Sequence, residues 1–143
     1  MPELRFSRPV PFSREQMLAL VADLHSYPDF VPNCTGMMVT KENAGSLLAR
    51  MQINFGPISQ SYTSRVVIDE KNMSISARAT DGPFSFLASR WDFLPRDEGS
   101  EIRFEIDFEI ANPMIAAIAE PAFAAKQDEI LDAFIAEANR RYS

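Results

Sequence analysis

The chain has 143 residues, of which 46% are hydrophobic and 24% charged, and we expect an ordinary globular protein built as one domain over residues 1–143. Its net charge of −6 argues against a surface that neutralises nucleic-acid phosphates or is attracted to anionic lipid, so we expect no direct contact with nucleic acid. The single cysteine excludes an intramolecular disulfide, and no stretch reaches the ~18 apolar residues that cross a bilayer.

The first predicted elements are a strand and a helix. Residues 3–8 have the pattern of a short strand. Ser13 and Gln16 have the spacing of a capping box, in which the serine side chain accepts from the glutamine amide and the glutamine side chain reaches back. Apolar residues at helical spacing follow, so we predict an amphipathic helix over about 13–24, which Pro28 prevents from continuing.

The middle of the chain has a hydrophobic period of two, which is typical of strands. The last strand of this region alternates most clearly between apolar and charged residues, as in an antiparallel sheet with one dry and one wet face. Turn residues at Gly56-Pro57 and Asp81-Gly82-Pro83 separate neighbouring strands. The predicted strands cover 36–42, 46–55, 58–69, 73–79, 84–95 and 101–110.

One long helix ends the chain. Asn112 is a suitable N-cap, Pro113 suits the first helical position, and the helical pattern runs to Tyr142, with a kink or a split expected at Pro121. This order predicts the α+β class and a helix-grip fold, in which a curved antiparallel sheet of six to seven strands wraps around the terminal helix. Such a sheet can leave a cavity beneath the helix, and the alanines of 116–125 either allow close packing or leave room for a guest.

The sequence offers little that could perform catalysis or bind a metal. We interpret His25, the only histidine, as a surface or capping residue, and Cys34 as a buried inert thiol. We expect no catalytic residue and no metal site, and binding of an apolar molecule is favoured because it needs no positioned acid or base. The acidic residues of the last strand alternate with apolar ones and form a solvated face: Glu101, Glu105, Asp107 and Glu109.

Three groups of residues together resemble the coenzyme Q-binding, START-like family. They are Tyr27-Pro28-x-Phe30-x-Pro32-x-Cys34, then Gly82-Pro83-Phe84-x-x-Leu87-x-x-x-Trp91-x-Phe93, and finally Ala133-Phe134 ahead of Arg140 and Tyr142. The chain departs from the pattern at Asn33, where we expect an aromatic residue, usually Trp. The resemblance implies a helix-grip, START-like lipid-binding domain over residues 1–143 that binds ubiquinone or a related polyprenyl lipid. It also implies support of respiratory electron transfer without enzymatic activity.

The resemblance implies that the segment 25–34 forms the rim of the pocket. Its two prolines would stiffen it, while Tyr27, Phe30 and Val31 present apolar surface that can rest transiently in the inner membrane. Alternatively, the segment is a plain connector whose aromatic residues cap the core. Because the opening MPELRFSRPV lacks the long apolar run of a secretory signal, we expect a cytoplasmic protein, peripheral to the membrane at most.

Alternation along the strands and spacing along the helix predict the residues that line the pocket. Ubiquinone is expected as a bound ligand rather than a catalytic cofactor, and no other cofactor is expected. The predicted ligand-binding residues are Tyr27, Phe30, Val31, Met51, Ile53, Phe55, Tyr62, Val66, Trp91, Phe93, Phe104, Ile106, Phe108, Ile118, Phe123, Ile130 and Phe134.

Two alternatives to a lipid carrier remain open. Polyketide cyclases share the architecture, and such an enzyme would need an ordered polar group inside the cavity, for which Tyr62, Arg65 and Arg90 are the candidates. Bacterial members of the family are also labelled ribosome-association toxins, which interfere with the joining of ribosomal subunits. The charge of −6 speaks against direct contact with ribosomal RNA, and a protein partner stays open.

Overall fold

Seven antiparallel strands form one curved sheet in a computed structural model that describes residues 3–43, 45–55 and 58–143. The predicted turn at Gly56-Pro57 lies outside these residues. The order β1-β7-β6-β5-β4-β3-β2 places the first strand beside the last and leaves the others as a continuous meander. The strands are β1 (Glu3–Val10), β2 (Cys34–Asn43), β3 (Ser46–Phe55), β4 (Ile58–Asp69), β5 (Ser74–Ala79), β6 (Phe84–Pro95) and β7 (Ser100–Ile110).

The first helix, α1 (Arg14–Ala22), begins at the predicted capping box. The Ser13 hydroxyl accepts from the Gln16 amide at 3.1 Å, and the Ser13 amide donates to the Gln16 side chain at 3.0 Å. The helix ends two residues before the predicted boundary. A single turn of 3-10 helix over Leu24–Ser26 and a short helix, α2 (Tyr27–Phe30), follow it.

The long helix α3 (Pro113–Tyr142) has the predicted cap. The Asn112 side-chain oxygen accepts from the amides of Met114 at 2.9 Å and Ile115 at 3.3 Å. The predicted split at Pro121 is wrong, because the helix continues through it. Pro121 is exposed, so the hydrogen bond that its nitrogen cannot donate is lost on the solvent side, where water can replace it.

The core lies between the inner face of the sheet and the helices α1 and α3. Inward positions on α3 recur at helical spacing. The ring centre of Phe134 on this helix lies 5.0 Å from that of Trp91 on β6. The outer face carries the charged residues of β7 as predicted, and Arg90 pairs there with Asp92 at 3.0 Å. The α+β helix-grip prediction is therefore confirmed. The largest fully buried side chains are Phe93, Phe108, Phe134, Met17, Leu20, Ile102, Leu131 and Val21.

Candidate functional site

A cavity of about 130 Å³ lies between the sheet and α3 and is partly open to solvent. Small side chains occupy several of the inward positions in its wall. Ala49 on β3 is paired with Ser64 on β4, and Ala77 on β5 is paired with Ser89 on β6. Larger residues such as Trp91 follow along the same strands and hold the sheet and the helix apart. A mismatch of side-chain size along the strands thus creates the hollow.

Most of the predicted ligand-binding residues line this cavity. They come from the rim, from the four strands β3, β4, β6 and β7, and from α3, so the predicted faces of these elements are the inner ones. Their contact with a ligand stays a prediction. The lining residues among them are Tyr27, Val31, Met51, Ile53, Tyr62, Val66, Trp91, Phe104, Ile106, Phe123, Ile130 and Phe134.

Two predicted lining residues, Phe93 and Phe108, are instead packed in the core beyond the cavity. Both are buried, but Phe93 stacks against Trp91 at 6.2 Å and Phe108 packs edge-on against Phe123 at 4.7 Å. The predicted face of each strand is correct. Alternation does not indicate how far along a strand the cavity extends, and neither residue is among those that line it; their contact with a ligand stays a prediction.

Two more predicted residues lie away from the cavity. Phe30 is half-buried and packs edge-on against the ring of Phe134 at 5.1 Å, outside the lining. Ile118 is 74% exposed, because the inward positions of α3 include Ala119 and Phe123, and a residue next to an inward position points about 100° away. The side chain of Phe55 lies outside the described part of the structure.

Several lining residues were not predicted. Ser64 lies between Tyr62 and Val66 on the same face of β4, and Gln127 follows Phe123 by four residues on α3. Both periodicities were visible in the sequence, but both residues are polar and were not assigned to a dry interior. The structure shows that the cavity has an apolar wall with a few polar groups in it.

None of the described lining residues carries a charged side chain. The Tyr27 hydroxyl donates to the Val21 carbonyl at 2.5 Å, and the Tyr62 hydroxyl contacts the Met51 sulfur at 3.6 Å. Burial raises the pKa of both tyrosines and of the Cys34 thiol, so all three groups are neutral at physiological pH. The cavity suits a neutral guest better than proton transfer.

Of the three polar candidates for an enzyme interior, only Tyr62 faces the cavity. Arg65 lies on the outer face, where it donates two hydrogen bonds to Glu42 at 2.7 and 2.8 Å, and Arg90 is held by Asp92 on the same outer face. Within residues 3–43, 45–55 and 58–143, no three potential ligands converge on a metal position. Over the same residues, no helix has the length and hydrophobicity to span a membrane.

The rim segment forms one wall of the cavity. Val31, Pro32 and Cys34 line it, and the connection between α2 and β2 is fixed by Asn33. Asn33 has a left-handed backbone (φ 68°), which asparagine tolerates better than most residues, and its side-chain amide donates to the Asn54 carbonyl at 2.6 Å. The asparagine that departs from the family pattern therefore has a structural role here.

An ion-pair cluster fastens the rim to the end of α3. Arg141 donates to Asp23 at 3.1 Å and to Glu137 at 2.8 Å, and its guanidinium lies 6.0 Å from the centre of the Phe30 ring. Glu137 is 8% exposed, and the hydrogen bonds from Arg140 and Arg141 lower its pKa to about 2. We call Asp23, Glu137 and Arg141 the rim latch.

The chain matches the family described as polyketide cyclase / dehydrase and lipid transport over residues 10–135. It belongs to this family. A similar protein is the ribosome association toxin RatA of Escherichia coli K12, 35% identical over 144 residues that cover 100% of this chain and 90% of the toxin. The mitochondrial coenzyme Q-binding protein COQ10 of Drosophila melanogaster is 27% identical over 92% of this chain and 56% of that protein. The START-like resemblance seen in the sequence is confirmed.

A solved structure of similar shape is the Zhui aromatase/cyclase from Streptomyces sp. R1128, with a TM-score of 0.89 over 99% of this chain and 96% of that one. At 17% identity, this similarity shows the fold alone. Proteins similar to this chain in sequence or in fold are thus named for a toxin, a quinone binder and a cyclase, and the choice among these functions depends on the site.

Proposed function

We propose that this protein binds ubiquinone or a related polyprenyl lipid in the cavity, without enzymatic activity, in support of respiratory electron transport. The observation that carries the proposal is an apolar, partly open cavity with no charged side chain among its described lining residues. Burial of apolar ligand surface there contributes roughly 25 cal/mol per Å². The name of the Drosophila relative, a coenzyme Q-binding protein, supports the same ligand class.

The size of the cavity limits how much of a lipid it encloses. A cavity of about 130 Å³ resembles the engineered ~150 Å³ cavity that takes up benzene. It therefore encloses a group of about one ring, and the remainder of the lipid extends out of the cavity, which is partly open to solvent. Transient contact with the inner membrane and a cytoplasmic location remain predictions of this proposal.

Mass spectrometry of organic extracts tests the proposal. Protein isolated from a bacterium that makes ubiquinone is expected to carry it in near-stoichiometric amount. The matched control is Ala49→Leu, which adds three carbons at a lining position and is expected to carry little. Repeatedly clean extracts of the unaltered protein would reject the proposal, and so would equal amounts of quinone in the two proteins.

A second candidate function has support from the E. coli relative. Identity of 35% over the whole chain to a ribosome association toxin points to interference with ribosomal subunits through a protein partner. Sucrose-gradient profiles of ribosomes with added protein test it. If the function holds, the fraction of assembled ribosomes falls as the protein is added, and an unchanged profile at several-fold excess would exclude it.

A further inference from the structure

Three side-chain oxygens that face the cavity, those of Ser64, Ser89 and Gln127, have no hydrogen-bond partner among the residues that the structure describes. Ser64 is only 7% exposed, Ser89 shares the inner face of β6 with Leu87 and Trp91, and both hydroxyls are unpaired there. Gln127 is 2% exposed, and its side-chain nitrogen donates to the Phe123 carbonyl at 3.0 Å. That bond leaves the Gln127 side-chain oxygen available.

Unpaired polar groups are unusual at positions as buried as Ser64 and Gln127, because buried donors and acceptors are paired in the great majority of cases, whereas Ser89 is half-buried. In the described part of the chain, the only side-chain oxygen that is both fully enclosed and unpaired belongs to Asp107. The oxygens of Ser64, Ser89 and Gln127 are therefore not sealed in by protein. All three residues line the cavity, so these oxygens are open to whatever occupies it.

We infer that the ligand enters head first and places an uncharged, oxygen-bearing head group, a carbonyl or a hydroxyl, between the two serines of the sheet and Gln127 of α3. This inference rests on the proposed function. A serine hydroxyl donates to a carbonyl oxygen, and the Gln127 side-chain oxygen accepts from a hydroxyl. Tyr62 offers a further donor, since its hydroxyl contacts only the weakly accepting sulfur of Met51. The apolar tail then runs toward the opening.

The head group is uncharged because the wall has nothing to pair with a charge. The described lining residues include no Asp, Glu, Lys, Arg or His. A carboxylate or phosphate buried without a counter-charge loses its hydration without compensation. Fatty-acid carboxylates and phospholipid head groups are thus excluded from the interior, whereas neutral oxygenated rings are accepted.

When no ligand is bound, water can form hydrogen bonds with the same polar groups. At a share of roughly 30 Å³ per molecule, about four waters fill 130 Å³ and can pair with the three polar groups. A pure hydrocarbon displaces these waters without replacing their hydrogen bonds, whereas an oxygenated ring replaces some of them. The quantity to measure is therefore the ratio of the affinity for an oxygenated ring to the affinity for a hydrocarbon ring of the same size.

Cyclohexanone and methylenecyclohexane are suitable probes, because they share a ring and differ only in C=O against C=CH2. Both are titrated against the protein with methyl NMR spectra as the readout. In the double variant Ser64→Ala/Ser89→Ala, the ratio of ketone to hydrocarbon affinity is expected to fall about tenfold relative to the unaltered protein. Ser59→Ala, on the outer face of β4, is the matched control and is expected to keep the ratio.

The outcomes separate this inference from the proposed function. If both probes bind in the cavity and the double variant keeps the ratio, the head-group inference is overturned while the proposed function stands. If neither probe shifts the signals of cavity residues, the proposed function fails and the inference fails with it. Cyclohexanecarboxylate at pH 7 is the third probe, and binding as strong as that of cyclohexanone would overturn the assignment of an uncharged head group.

Discussion

At the scale of single residues, the cavity depends on a few small side chains on β3 to β6. Ala49→Leu places three more carbons into this space. Extra carbons in a filled core cost about 1–3 kcal/mol, but here we expect a loss below about 1 kcal/mol because the cavity accepts them. We also expect affinity for an apolar ligand to fall at least tenfold.

Urea denaturation and ligand titration measure the two effects of Ala49→Leu. Ala125→Leu makes the same change at an exposed position of α3 and should alter neither quantity. A large loss of stability in Ala49→Leu would show that the space around Ala49 is already filled.

The lowered pKa of Glu137 predicts how the stability of the folded protein changes with pH. Its pKa in the folded protein is about 2, against 4.5 for the free side chain, so the folded state binds its proton at lower pH than the unfolded state. The stabilisation is complete above about pH 4.5 and is lost as the pH falls toward 2. We expect Glu137→Gln to reduce the slope of stability against pH in this window, measured by denaturation at a series of pH values.

Glu98→Gln, at an exposed loop position, serves as the control for Glu137→Gln. An unchanged slope in Glu137→Gln would contradict the assigned role of the two arginines.

At the scale of elements, the rim latch joins the segment before α2 to the end of α3. Arg141→Ala removes the bonds to Asp23 and Glu137 and the contact with Phe30. We expect faster amide hydrogen exchange over residues 24–30 because the rim then opens more often. Arg140→Ala removes a largely exposed partner of Glu137 only, so it should leave exchange in the rim nearly unchanged. Equal rates of amide exchange over residues 24–30 in the two variants would contradict the proposed role of the rim latch.

The strands were predictable from sequence because alternation and turn residues are local signals. The observed bounds of β3, β4 and β6 coincide with the predicted ones, and β7 differs by a single residue. The helix at the rim was not predictable in the same way, because prolines at 28 and 32 suggest an irregular segment. Pro28 is compatible with α2 since it lies in the first turn, where amides have no helical partner.

At the scale of the whole molecule, the order of elements and the family motifs are enough to predict a helix-grip fold. The position and size of the cavity are not, because they depend on how far apart packing holds the sheet and α3. Ile118 illustrates the limit, since a helical stretch rich in Ala and Ile does not show which face is inward before the partner surface is known. Ser64 and Gln127 illustrate the same limit, since the role of a polar residue on an apolar face can be assigned only once the position of the cavity is known.

The central claim is that a quinone enters the space beside Trp91. This residue is the only tryptophan of the chain, is 7% exposed and lines the cavity, so tryptophan fluorescence reports on the surroundings of the cavity. We expect a short-chain ubiquinone to quench this fluorescence saturably with one binding site per chain, and Ala49→Leu to weaken the quenching strongly. Quenching that rises linearly without saturation, and equally in Ala49→Leu, would contradict the account.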